Sequence, residues 1–248
     1  MPRICVALFH EDFEDLGSLA SVLEERGWET RLLDARRAVP LSVHVGDPDL
    51  LVILGGPMGV YETVRHSFLV DEIAIAAARL ERDRPTLGIC LGSQIMAAAL
   101  GAEVKKGPRR EIGWFPIELE KGAERDPLAS CLAADGAEML HWHSDTFSPP
   151  DGVVPLARSR LYENQGFRFG RLGYAFQFHF EIVPERIGEW IRGHAVRPGE
   201  SPEVQSGSEI AEGAARHGPA LVRRARSFFQ AYLDQIERNG SGESLPEG

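Results

Sequence analysis

Cys90 lies in the run Thr86-Leu-Gly-Ile-Cys-Leu-Gly-Ser-Gln94, where an apolar strand ends and a helix begins at once, with a glycine two residues to either side. A turn that tight holds its central residue in a strained backbone conformation. It aims the side chain over the carboxyl end of the sheet, where open α/β folds bind ligands. The sulfur then sits at a helix N-terminus, whose unpaired N–H groups and macrodipole favour the thiolate. The spacing therefore predicts a nucleophile, with the N–H of Leu91 directed at the place where an oxyanion would form. A buried structural cysteine with incidental glycines is the competing reading.

A thiol nucleophile needs a proton acceptor, and Gln177-Phe-His-Phe-Glu181 offers one. Strand alternation would place His179 and Glu181 on one face and Phe178 and Phe180 on the other. A carboxylate two residues from a histidine can hold the second ring nitrogen, as a general base requires. Alone, such a pair is a common surface feature; its weight comes from the cysteine elbow upstream. A third segment, Leu54-Gly-Gly-Pro-Met-Gly-Val-Tyr-Glu62, follows an apolar strand, and its adjacent glycines let backbone N–H groups approach a ligand. It has neither the lysine of a phosphate-binding loop nor the spacing of a dinucleotide fingerprint. His141 and His143 share a strand face, but the sequence offers no evident third ligand for a metal. Lys105 to Arg110 reads as a solvated basic turn, Arg223, Arg224 and Arg226 as the wet side of a helix, and Cys5 and Cys131 as packed residues.

The elements that must position these groups follow from periodicity. Residues 3–9, 28–33, 49–54 and 85–89 read as strands. Residues 14–26, 67–82 and 91–100 carry apolar residues at helical spacing. Alternating strands and helices predict an α/β fold, an open and mostly parallel sheet with helices on both faces. Between about 112 and 177, short strand-like runs separated by turn residues predict an antiparallel extension along one edge. Residues 184–194 read as a helix opened by proline, 196–208 as a linker, 209–236 as a terminal helix, and the last dozen as a disordered tail.

Composition sets the outer bounds. The 248 residues are 43% hydrophobic and 26% charged, enough for one substantial core. A formal net charge of −10 argues against general affinity for nucleic acid. The N-terminus lacks the features of a signal peptide, and no run approaches the roughly 20 apolar residues of a membrane span. Three scattered cysteines form no disulfide framework, so a reducing cytoplasm is expected.

The three segments, in this order, resemble the class I, or triad-type, glutamine amidotransferases. The elbow of that family reads G-x-C-x-G-x-Q, as Gly88 to Gln94 do. Its upstream strand ends in a turn like Gly55-Gly56-Pro57, and its late motif is F-H-P-E, against Phe178-His179-Phe180-Glu181 here. Phenylalanine in place of proline is a departure that leaves both polar side chains in place. The likeness spans residues 3–195 and is closest to stand-alone proteins similar to the amidotransferase domain of GMP synthetase. It implies a flavodoxin-like core over residues 1–195, with residues 196–236 packed on the same domain and 237–248 as tail.

The resemblance also implies roles. Cys90 becomes the nucleophile, His179 the base, and Glu181 its orienting carboxylate. Gly56 and Leu91 supply the oxyanion N–H groups. Gln94 and the backbone at Met58 contact glutamine, while Ser144 and Asp145 read its α-amino and α-carboxylate groups; an Asp-stabilised turn is the bland reading of that last segment. The expected chemistry is hydrolysis of the glutamine side-chain amide through a γ-glutamyl thioester, with no metal or organic cofactor. A separate synthetase is the implied partner. Hydrolysis of γ-glutamyl amides or peptides is the alternative, and a cysteine-elbow chaperone, deglycase or peptidase, or a catalytically silent regulatory module, stands further off.

Overall fold

The computed structural model describes residues 2–37, 40–132, 137–194 and 201–240. Among these, nine strands form one sheet in the order β2-β1-β3-β4-β9-β8-β7-β5-β6. Strands β1 (Ile4–Phe9), β2 (Glu29–Asp34), β3 (Leu50–Ile53), β4 (Thr86–Ile89) and β9 (Gly173–Phe176) run parallel. Strands β8 (Gly166–Phe169), β7 (Val154–Ser159), β5 (Val104–Leu119) and β6 (Ala137–Phe147) continue the sheet antiparallel. The central strands β3 and β4 are buried throughout, which explains their unbroken Leu-Leu-Val-Ile and Thr-Leu-Gly-Ile runs. The edge strand β2 alternates less cleanly, and its exposed Glu29 and Arg31 blunt an otherwise open edge.

Helices cover both faces, as the alternating pattern predicts. On one side, α2 (Leu41–Val45), α3 (Phe68–Glu81) and α4 (Leu91–Ala99) pack over a core that includes Val6, Leu8, Leu51, Ile53 and Ile95. On the other side lie α1 (Ser18–Glu25), α5 (Ala129–Leu132), α6 (Ile187–Gly193) and α7 (Gly207–Gly240). Helix α7 buries Phe228, Phe229 and Tyr232 completely, against Tyr174 and Phe176 of β9 and against Phe180. The aromatic layer thus backs the strand that leads to His179.

Some boundaries differ from expectation for physical reasons. Helix α7 runs to Gly240, past the expected start of the tail at 237. Glu237 accepts hydrogen bonds from Trp28 Nε1 (3.0 Å) and Arg26 Nη1 (3.2 Å), which anchors that last turn. Residues 196–200 of the expected linker and 241–248 of the expected tail lie outside the described residues. Lys105 to Arg110 is largely solvated, as expected, but is not a turn. It belongs to β5, whose register against β6 shifts between Lys106 and Glu111, a bulge packed under Tyr162. Strand β9 ends at Phe176, so Gln177 to Glu181 is an extension beyond the strand, tied back by a bridge between Leu140 and His179. The alternation survives that change: Phe178 and Phe180 are fully buried in the apolar core.

Candidate active site

Cys90 follows β4 directly and caps α4, with φ 53° and ψ −109°. A non-glycine residue at positive φ stores strain that its surroundings must hold in place. Here Cys90 N–H donates to Phe176 O (2.8 Å), and Ser93 Oγ and N–H both donate to Cys90 O (2.7 and 3.0 Å). The flanking glycines are required by contact: a Cβ at Gly92 would lie 1.9 Å from Ile53 O, and one at Gly88 would lie 2.5 Å from Gly92 O. Helix and strand touch backbone to backbone at the elbow, as the glycine spacing predicts.

His179 comes to the same point from the end of β9, the strand paired with β4. Its N–H donates to Leu140 O (2.8 Å), and its ring stacks edge-on against Trp190 at 4.7 Å between centroids. Nδ1 lies 2.8 Å from Glu181 Oε1. A carboxylate accepts, so Nδ1 carries the proton and Nε2 is left for the neighbouring Cys90 thiol. Burial by itself would push the imidazole pKa down. The charges of Glu181 and Cys90, and hydrogen bonds to both, outweigh it and hold the ring well above the ordinary histidine value. An imidazole so placed can serve as a proton acceptor for a neighbouring group.

The sulfur opens into a cavity of about 360 Å³. Of the residues expected from sequence, Gly56, Met58, Cys90, Gln94, Ser144 and Asp145 line it together. Leu91 packs its side chain into the adjacent core and contributes its backbone at the start of α4. His179 and Glu181 lie behind the wall, 1% and 2% exposed. Ser144 and Asp145 sit in β6 rather than in a turn. Ser144 Oγ and Tyr61 Oη donate to the two carboxylate oxygens of Asp145 (3.1 and 2.9 Å). Gln94 Nε2 donates to Gln177 Oε1 (3.0 Å), which fixes the amide at the cavity floor.

Several lining residues escaped the sequence reading. Lys106, the pairing partner of Asp145, and Arg110 face the cavity because the β5 bulge turns them there. Glu14 and His194 form another wall, 3.2 Å apart, with Glu14 Oε2 buried and unpartnered. No motif announces these residues, since chain segments far apart bring them in.

Behind Ser144 and Asp145 the structure supplies the carboxylate that the sequence did not reveal beside His141 and His143. Glu111 joins them, all buried, with ligand atoms within 4.8 Å of one another. Glu111 Oε2 lies 3.1 Å from each imidazole and accepts from Gln165 Nε2 at 2.6 Å. His143 Nδ1 lies 3.0 Å from Asp145 O, its Nε2 lies 3.1 Å from Glu111 Oε2 and 3.3 Å from Gln165 Nε2, and burial pushes the pKa of that ring down. Burial disfavours the Glu111 charge, but the surrounding donors win and hold its carboxyl well below the usual range. The arrangement is a buried polar cluster in which Glu111, Gln165 and His143 tie β5 to the end of β6 that carries Ser144 and Asp145.

Comparison with known proteins agrees with the geometry. The family model described as "Glutamine amidotransferase class-I" matches residues 13–193. A glutamine amidotransferase-like protein of Salmonella typhimurium, YfeJ, is 32% identical over 183 residues, covering 72% of this chain and 75% of that protein. A glutamine-hydrolyzing GMP synthase subunit of Natronomonas pharaonis is 31% identical over 192 residues, covering 77% of this chain and 94% of its own. Among solved structures, a glutamine amidotransferase of Thermotoga maritima superposes with a TM-score of 0.80 at 31% identity, covering 94% of this chain and 99% of its own. One from Methylobacillus flagellatus reaches 0.84 at 26% identity, covering 100% of this chain and 98% of its own. The elbow and the histidine–carboxylate pair both fall within the matched span, and the chain belongs to the class I glutamine amidotransferases.

Proposed function

We propose that the protein hydrolyses the side-chain amide of glutamine, with Cys90 as nucleophile, His179 as proton carrier and Glu181 as its orienting carboxylate. The observation that carries this reading is His179 held by Glu181 at 2.8 Å and electrostatically coupled to Cys90, a cysteine held at positive φ on a helix N-terminus. The Cys90 thiolate attacks the amide carbon, and the oxyanion rests on the Gly56 and Leu91 N–H groups. His179 protonates the departing ammonia, which leaves a γ-glutamyl thioester on Cys90. It then takes a proton from water, which attacks the thioester and releases glutamate. Asp145 suits the α-ammonium group, while Lys106 and Arg110 supply the positive side of the cavity for the α-carboxylate. The relatives that are GMP synthase subunits favour a separate synthetase as the consumer of the ammonia.

A second reading, hydrolysis of γ-glutamyl amines, draws support from Glu14. Its unpartnered Oε2 lies on the His179 side of the cavity, where a leaving amine would emerge. The two readings separate in one assay: kcat/KM for glutamine against a panel of γ-glutamyl amides and dipeptides. A preference for free glutamine supports the first reading, a preference for an extended amide the second. No turnover of any of them, alone or with a synthetase present, overturns both.

A further inference from the structure

Behind the Gly55–Gly56 turn lies a pair of titratable groups that the triad does not use. His10, just past β1, and Glu72, in the first half of α3, are both 0% exposed. His10 Nε2 meets Glu72 Oε1 at 3.0 Å, and His10 Nδ1 meets the carbonyl oxygen of Gly55 at 2.8 Å. A carbonyl and an ionised carboxylate can only accept, so both ring nitrogens donate and the ring is an imidazolium. Burial works against that charge, but Glu72 outweighs it, and the His10 pKa is held above its ordinary value. Phe68 stacks on the ring at 5.7 Å between centroids, so the pair has little freedom to move. A fully buried ion pair is seldom the most stable filling for a core, since apolar residues of the same volume often do as well or better. Its place in the fold calls for another explanation.

The carbonyl that His10 holds is one end of the Gly55–Gly56 peptide. In a trans peptide the C=O and the following N–H point in opposite directions. A donor fixed on Gly55 O therefore turns the Gly56 N–H away from His10. Gly56 is packed closely: a Cβ there would lie 2.8 Å from His10 Cβ and 3.0 Å from Leu91 Cδ2. His10 is wholly buried and does not line the cavity, whereas Gly56 does, beside Cys90, so an N–H turned away from the buried ring faces that cavity. Glycines flank the peptide on both sides, so no Cβ resists its rotation. Flipped, it would present a carbonyl oxygen to the developing oxyanion.

We propose that the His10–Glu72 ion pair is a positioning device for the oxyanion hole, locking the Gly55–Gly56 peptide with the Gly56 N–H turned toward Cys90. A charged donor on the carbonyl also polarises the peptide and strengthens that N–H as a donor. The inference rests on the reading of Cys90 as an acylated nucleophile, and two probes test it without depending on turnover. Iodoacetamide alkylates a thiolate at a saturated carbon and forms no oxyanion. Glutamate γ-semialdehyde adds to the thiolate as a thiohemiacetal, whose oxygen needs the hole.

The decisive variant is the double substitution His10→Leu with Glu72→Leu, which leaves no unpaired buried charge. Cys90 alkylation by iodoacetamide should stay within a few-fold of the parent. Semialdehyde affinity and kcat for glutamine should both fall, on the order of 10²-fold or more. His10→Asn, whose amide N–H can replace Nδ1 on Gly55 O, should recover much of the loss, and it keeps the question open to measurement if the double variant does not fold. A folded double variant with undiminished semialdehyde affinity overturns the inference alone. So does alkylation falling in parallel with kcat, because that marks a general disturbance of Cys90. A parent protein that neither turns over glutamine nor binds the semialdehyde overturns the amidase reading, and this inference with it.

Discussion

At the scale of single residues, the proposed triad makes unequal demands on its members. Cys90→Ala should abolish glutamine or γ-glutamyl hydrolysis in a folded protein, whereas Cys5→Ala and Cys131→Ala should stay within a few-fold of the parent. Burial pushes the Cys5 thiol up to about 12 and also raises that of Cys131, so neither is a ready thiolate. A diazo-ketone glutamine analogue should accordingly label Cys90 alone; mass-spectrometric label spread over all three cysteines would count against an activated Cys90. His179→Ala removes the proton carrier for both half-reactions and should match loss of Cys90. Glu181→Gln keeps a partner for Nδ1 and should retain roughly tenfold to hundredfold more activity than His179→Ala. The raised His179 pKa also sets a pH dependence. The stability contributed by its imidazolium is complete below about pH 6.5, the ordinary histidine value, and is lost as pH rises through the higher folded-state value. Cys90→Ala removes one of the raising groups. The difference in Tm between parent and variant should therefore be largest below about pH 6.5 and shrink as pH rises through the folded-state value. A flat difference across the alkaline limb would contradict the coupling.

At the scale of elements, the elbow is the feature that tolerates least. Gly92→Ala drives a Cβ into Ile53 O at 1.9 Å, a backbone contact that cannot rotate away. The cost should be about 3 kcal/mol, read from denaturant unfolding, with slower alkylation of Cys90. Gly101→Ala is the control: its Cβ meets open space, so only the left-handed strain at φ 84° remains, about 1–2 kcal/mol. Equal losses for the two would show that the strand–helix contact at Gly92 relaxes and does not govern the elbow. Most of these elements were legible in the sequence, because strands buried on both faces are continuously apolar and helices repeat at 3.6 residues. The stretch from Val104 to Arg110 was not. Its Lys-Lys-Gly-Pro-Arg-Arg composition describes a turn, and only pairing with β6 across a bulge makes it a strand. The Gln177–Glu181 segment shows the converse: strand alternation predicted the right faces although β9 ends at Phe176, because the Leu140 bridge keeps the backbone extended.

At the scale of the whole molecule, helix α7 supports the site from outside the motif-bearing region. Phe228 packs on Tyr174, Phe176 and Phe180, so Phe228→Ala should cost about 3–5 kcal/mol in unfolding free energy and lower Tm. Stability close to that of the parent would mean that α7 is not part of the working core. If a synthetase partner exists, adding it should raise glutamine turnover by ordering the Gly55–Tyr61 turn; unchanged kcat/KM on mixing the two purified proteins would count against that partnership. The sequence by itself determined the cysteine elbow, the histidine–carboxylate pair, the glycine turn and the α/β sheet, because each is encoded by residue types at short, fixed spacing. Tertiary structure alone decided the rest of the cavity. Glu14, Lys106, Arg110 and His194 come from separate segments, and no local pattern says that they will meet. The same holds for Glu111 joining His141 and His143 across a strand pair, and for His10 meeting Glu72 and Gly55 across 62 and 45 residues. Such contacts depend on strand order and register, which are settled by packing the whole core rather than by any one segment.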